Sequence, residues 1–97
     1  MIYLIYKVKE GMMNMTKKEV SKGLIKYLSK PDKYYNGIIV NCIKFEGFGK
    51  KDDNLTTEKL IVSLEYIDGI SLDVLKSRID EYLFSINMDY SGLLIEI

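Results

Sequence analysis

Ninety-seven residues, of which 47% are apolar and 29% charged, make one domain of ordinary globular composition. The chain contains no histidine and one cysteine, Cys42, which excludes imidazole catalysis, an internal disulfide and a cysteine or histidine metal cluster. Fourteen basic and fourteen acidic side chains cancel to zero net charge, and this balance argues against nucleic-acid binding through overall charge. We therefore expect a non-enzymatic protein that needs no metal and no cofactor.

The composition indicates an AT-rich genome. Alanine is absent and lysine outnumbers arginine thirteen to one, although alanine is the best helix former and is normally common. A low-GC bacterium, a phage or a plasmid would account for this bias. The apolar segment Met1–Val8 has no basic leader and is too short to cross a bilayer, so we expect a cytoplasmic protein without a membrane partner.

The first half of the chain predicts a strand, a helix and a second strand. Ile2–Val8 is rich in β-branched and aromatic residues, as strands are. Thr16 and Glu19 have the spacing of a capping box, which predicts a helix that runs to about Ser29, just before the only proline. An Asn-Gly turn then leads into the second strand, Ile38–Phe45.

The second half predicts a strand, a helix and a last strand. Leu60–Ile67 alternates in polarity like a strand, and Leu93–Ile97 is apolar enough for a short final one. Between them, Ser71 can cap a helix that reaches about Asn87. The order β-α-β-β-α-β is that of the ferredoxin-like sandwich, in which two helices cover one face of a four-stranded antiparallel sheet. We therefore predict a single α+β domain over residues 1–97.

The start of the chain allows two interpretations. Lys9–Gly11 can be encoded by a purine-rich stretch that resembles a ribosome-binding site. Translation from Met13 or Met15 would then leave residues 1–14 partly or wholly outside the native protein. We favour the full chain, because Ile2–Val8 completes the predicted fold.

Apolar residues fall on both faces of the predicted strands. Since two helices cover one face of such a sheet, the other face would expose an apolar patch large enough to bind a second copy of the chain or a partner protein. We predict that this uncovered face is the partner-binding surface. Its residues are Tyr3, Ile5, Ile39, Ile43, Phe45, Ile61 and Ile67.

The second helix also carries side chains that a core does not require. Its predicted buried side begins with Leu72 and Leu75. Phe84 lies outside that side, in the sector of the helix that also carries Asp73 and Asp80. An aromatic ring among carboxylates predicts a second partner contact at these three residues.

The first helix carries a lysine at every fourth position, opposite its apolar side. A solvated face is one interpretation, and an anion-binding stripe continued by a glycine-rich loop at residues 47–51 is the alternative. The residues of this alternative are Lys18, Lys22, Lys26, Lys30, Lys50 and Lys51.

The run Gly47-Phe48-Gly49 resembles part of the RNA-recognition motif, a family with the same order of elements, and Ile2-Tyr3-Leu4 is similar to the aromatic segment of its first strand. The resemblance implies RNA stacked on aromatic rings of the sheet. It covers nine residues at most, and Ser63 and Glu65 stand where the third strand needs stacking rings. No family is assigned on this basis.

Charge is divided along the chain. Residues 1–51 carry eleven basic and four acidic side chains, whereas residues 52–97 carry three and ten. This division favours either mutual neutralisation of the two halves or steered docking to a partner. The leading hypothesis is a stoichiometric protein-binding module, such as a phage- or plasmid-encoded inhibitor of a host defence protein. The alternatives are nucleic-acid binding through the lysines and a dimeric small-ligand-binding regulatory domain.

Overall fold

The structure of the chain, a computed structural model, describes residues 15–31, 37–65 and 71–97. These residues form two helices and a four-stranded sheet, so the predicted α+β class is confirmed, and the element order is consistent with a ferredoxin-like arrangement. The predicted first strand, Ile2–Val8, lies outside the described residues. The elements are α1 (Lys17–Ser29), β1 (Val40–Glu46), β2 (Gly49–Lys51), β3 (Asn54–Leu64), α2 (Leu72–Ser85) and β4 (Met88–Glu96).

Helix α1 begins at the predicted capping box. The Thr16 hydroxyl accepts a hydrogen bond from the Glu19 backbone N–H at 3.2 Å, and the Glu19 carboxylate accepts one from the Thr16 backbone N–H at 3.2 Å. The pair satisfies two backbone groups at the start of the helix, where intrahelical partners are lacking. Val20, Leu24 and Leu28 are spaced by four residues and are fully buried, which anchors one face of the helix to the core.

Helix α2 begins where predicted, with the Ser71 hydroxyl accepting a hydrogen bond from the Val74 backbone N–H at 3.2 Å. Leu75 and Ile79 are buried, as the sequence pattern predicts. Leu72 is a correction to that pattern, because it is 58% exposed. It is the first residue of the helix and lies one turn before the first buried position.

Strand β3 is the centre of the sheet. It pairs antiparallel with β1 and β2 along one edge and parallel with β4 along the other. The parallel pair differs from the predicted wholly antiparallel sheet. Its cause is α2, a crossover of about 21 Å that carries the chain back along β3, so that Met88 starts beside Leu55.

Two strands are longer than the sequence predicts. β3 begins at Asn54 rather than Leu60, and β4 begins at Met88 rather than Leu93. Part of the predicted polar loop is strand as well, because Lys51 closes β2 and a tight turn at Asp52 and Asp53 leads into β3. These polar segments form strands because they pair with the neighbouring strand, and not because of their own β-propensity.

β1 and β2 pair one after the other with the same edge of β3, and the break between them begins at Gly47. The pairs Glu46–Lys59 and Gly49–Thr56 keep the same register on both sides of the interruption. Gly47 has a φ of +70°, a conformation that glycine adopts without the steric cost of a Cβ. The sheet therefore bends at a position that this glycine makes possible.

Substituting this glycine is expected to destabilise the protein. Gly47→Ala should lower the free energy of unfolding by about 1–2 kcal/mol, because L side chains disfavour positive φ. In addition, the new Cβ would lie 2.7 Å from Glu58 Cγ. Gly49→Ala is the matched control, since an added Cβ there has nothing within 4 Å. Chemical denaturation followed by circular dichroism measures both, and equal stability of the two variants would contradict the prediction.

Candidate functional site

The predicted partner-binding face of the sheet is only partly assembled. Ile43 lies opposite Val62 and Phe45 lies opposite Leu60, and directly opposed residues share one face of a sheet. Because Val62 and Leu60 are fully buried under the helices, Ile43 and Phe45 pack against the core. The predicted alternation is wrong for them because a β-bulge before Cys42 shifts it by one residue.

The uncovered side of the described sheet is mixed in polarity. Ile61 faces this side, as predicted, and lies between Lys44 of β1 and Leu94 of β4. Ile39 is 58% exposed just before β1 begins. These scattered apolar side chains do not form the continuous patch that the hypothesis of a sheet-face contact requires. The other predicted members of this face, Tyr3, Ile5 and Ile67, lie outside the described residues.

An open cleft of about 390 Å³ lies between the end of α2 and the beginning of β4. It brings together Asp80 and Phe84, two of the three residues predicted for a contact on this helix. Asp73 is exposed but lies seven residues earlier, about 10 Å along the helix, and does not line the cleft. We call this site the acidic cleft; it is lined by Asn54, Asp80, Leu83, Phe84, Asn87, Met88, Asp89 and Tyr90.

Hydrogen bonding fixes the position of Asp80 in the acidic cleft. The Tyr90 hydroxyl donates to Asp80 Oδ1 at 2.5 Å, and Asp80 Oδ2 lies 3.5 Å from Lys76 Nζ. Partial burial, followed by the hydrogen bond to Asp80 and its charge, raises the pKa of Tyr90 to about 12. The phenol therefore stays a donor at neutral pH, and the Asp80 carboxylate is held in place.

Among the described residues, the charged groups that line the acidic cleft are all carboxylates. Asp89 is exposed and has no ion pair or side-chain hydrogen bond with any described residue. The ring of Phe84 is 85% exposed, more than any other large apolar side chain among the described residues. A ring face beside carboxylates is the arrangement that binds a lysine or arginine side chain, because both the charge and the π system attract a cation.

The predicted lysines, three in α1 and Lys30 at its C-cap, are all exposed. None of them forms an ion pair with a described residue. We call this set the lysine stripe; it comprises Lys18, Lys22, Lys26 and Lys30.

The predicted continuation of the lysine stripe into a loop at residues 47–51 is wrong. Lys50 and Lys51 are in strand β2, whose residues alternate between the two faces of the sheet. Lys50 lies opposite the buried Leu55 and so shares the helix-covered face, whereas Lys51 lies opposite Asn54. The two lysines therefore cannot act on one ligand from a shared loop.

Six of the eight residues that line the acidic cleft are not among the contact residues predicted from the sequence. Asp89 and Tyr90 were assigned to the connection after the second helix, but they lie in β4 beside β3. Asn87 makes the turn between α2 and β4 with a φ of +54°, a conformation that asparagine tolerates better than most residues. The helix ends at Ser85 rather than at about Asn87, and an asparagine that turns the chain instead of closing the helix is the signal that would have indicated the longer strand.

The chain matches no protein-family model, no curated protein and no solved structure. Function is therefore argued from the site alone, since a fold by itself does not define one. In the described parts of the chain, neither helix is long and apolar enough to cross a membrane.

The Tyr90–Asp80 contact predicts how stability depends on pH. An unfolded tyrosine ionises near pH 10, whereas the pKa of folded Tyr90 is about 12. Because the folded pKa is the higher one, the contribution to stability is complete below pH 10 and is lost as the pH rises towards 12. We expect the free energy of unfolding of Tyr90→Phe to fall less than that of the unmodified protein over this interval.

Denaturant titrations at a series of alkaline pH values measure this difference. Asp80→Asn is the informative control, because it keeps the burial of Tyr90 and removes the charge of its partner. Between pH 10 and pH 12, the free energy of unfolding of Asp80→Asn should fall by less than that of the unmodified protein and by more than that of Tyr90→Phe. Parallel pH profiles for all three proteins would show that Tyr90 is not coupled to folding.

Proposed function

We propose that this protein is a small non-enzymatic module that binds one partner protein stoichiometrically, with a basic side chain of the partner seated in the acidic cleft against Phe84. The observation that carries the proposal is the 85% exposure of the Phe84 ring at the rim of a cleft whose charged lining is acidic. A lone exposed aromatic residue is ordinary. An aromatic ring beside a cleft with carboxylates has the chemistry of an interface anchor.

Charge complementarity supports a basic partner. Asp80 and Asp89 line the cleft, and no lysine or arginine in the part of the chain that the structure describes does so. A guanidinium or ammonium group placed there would face the Phe84 ring and pair with Asp89. The second half of the chain, residues 52–97, has ten acidic side chains against three basic ones, and such an excess speeds the approach of a positively charged surface.

Two features support a protein rather than a free cation as the partner. Asp73 extends the acidic side of α2 by about two helical turns beyond Asp80, so the charged surface is larger than one small ligand. Asp80 is already held by Tyr90, and a side chain fixed in advance loses less entropy when a partner binds. A module of this kind acts by occupying a surface of its partner, and this mode of action agrees with the inhibitor hypothesis based on composition.

Removing the ring is expected to weaken partner binding without unfolding the protein. Phe84→Ala should weaken the complex at least about tenfold, as expected for a buried aromatic anchor. Its free energy of unfolding should change by less than about 0.5 kcal/mol, because the side chain is on the surface. Leu72→Ala is the matched control, since Leu72 is an apolar side chain of the same helix, 58% exposed, that lies outside the cleft.

The measurement is quantitative capture by tagged protein from a nuclease-treated lysate of a low-GC bacterium, repeated with both variants. The proposal predicts one protein recovered in stoichiometric amount by the unmodified chain and by Leu72→Ala, and lost with Phe84→Ala. Asp89→Asn should reduce recovery as well. Equal recovery by Phe84→Ala, or a partner whose contact surface is acidic, would contradict the proposal.

A further inference from the structure

A second cleft lies on another surface of the molecule, between α1 and α2. It has a volume of about 220 Å³ and is lined by two tyrosine rings, two lysines and a glycine. We call it the interhelical pocket, and we infer that it binds single-stranded nucleic acid together with the lysine stripe. This inference goes beyond the proposed function, because none of its residues lines the acidic cleft. The lining residues are Gly23, Lys26, Tyr27, Lys30 and Tyr82.

The helices approach closely here because α1 has a glycine at the contact. A Cβ on Gly23 would lie 1.7 Å from the Tyr82 hydroxyl oxygen, so the ring of Tyr82 fits against α1 only when this position has no side chain. The rings of Tyr27 and Tyr82 are then 5.6 Å apart between centroids and tilted by 39°. Both rings are only partly buried, and together they form an aromatic floor.

The chemistry of the pocket suits a planar base more than a hydrogen-bonding ligand. The Tyr27 hydroxyl already donates to Glu81 Oε2 at 2.6 Å, and the Tyr82 hydroxyl lies against Gly23, so the ring faces are the main surface that the pocket offers a ligand. Bases stack on aromatic side chains with little dependence on sequence. The hydrogen bond to Glu81 raises the pKa of Tyr27, and nearby Arg78 acts less strongly to lower it, so a cation partly offsets the Glu81 charge beside the rings.

The lysine stripe supplies the phosphate contacts. Lys26 and Lys30 line the pocket itself, and Lys18 and Lys22 continue the stripe along α1. From Lys18 to Lys30 the stripe spans about 18 Å, and none of the four ammonium groups is neutralised by an ion pair with a described residue. A free nucleotide needs only the two lysines of the pocket. A stripe that runs on for two more lysines favours a strand with several phosphates.

Fluorescence anisotropy with a labelled oligothymidylate of about ten nucleotides tests the inference. The unmodified protein should bind it at low salt, and the logarithm of the association constant should fall with the logarithm of salt concentration with a slope of about −3, as expected for four phosphate contacts on a single strand. Lys26→Gln/Lys30→Gln should bind at least about tenfold more weakly and reduce the magnitude of the slope by about 1.4.

Two variants separate this site from general electrostatic attraction. Lys44→Gln/Lys59→Gln removes the same charge from the uncovered side of the sheet and should bind like the unmodified protein. Tyr27→Leu keeps every lysine and removes one stacking ring, so it should bind about tenfold more weakly with an unchanged slope. Denaturation of each variant confirms that it is folded at the temperature of the assay.

Three results would overturn the inference. The first is no binding at low salt, and the second is an equal loss in the two double-lysine variants. The third is displacement by thymidine monophosphate at the same nucleotide concentration as the unlabelled oligonucleotide, which would identify a free-nucleotide site. Retention of oligonucleotide binding by Phe84→Ala is expected throughout, so failure of this inference and failure of the proposed function are distinguishable.

Discussion

The pairing of β3 on both of its edges is the constraint on which the rest of the structure depends. One edge bonds to β1 and β2, and the other bonds to β4. Such a strand has no free edge, and its buried residues Leu60, Val62 and Leu64 face the two helices. Removal of apolar surface from water at these positions is the main force that holds the helices to the sheet. The position of the acidic cleft follows from this central strand.

The acidic cleft is a consequence of the parallel crossover. Because α2 returns the chain along β3, β4 starts beside the beginning of β3 and directly after the end of the helix. That connection places Tyr90 and Asp89 next to Asp80, although the tyrosine is ten residues away in sequence. An antiparallel last strand would begin at the opposite end of β3 and would separate these groups. The same pairing that completes the core therefore assembles the site.

The sequence predicts correctly those features that depend only on residues close together in the chain. Capping residues Thr16 and Ser71 determine where the helices begin, and both were identified. Helical periodicity places Asp80 and Phe84 in one sector of the helix, and both line the acidic cleft. Ile43 and Phe45 were placed on the wrong face because a β-bulge reverses the alternation that such a prediction relies on. Asp89 and Tyr90 were missed because β3 stabilises their strand from outside the segment.

The division of charge along the chain is preserved in space because each helix comes from one half of the sequence. α1 carries the lysine stripe, whereas the acidic cleft lies at the end of α2 and the start of β4. The two helices pack against each other where Gly23 admits Tyr82, and no residue of the pocket at that contact lines the acidic cleft. Zero net charge is then compatible with two binding surfaces of opposite sign. The two proposed ligands would not compete for one site. The lysine stripe repels a basic partner, and the acidic cleft repels a nucleic acid.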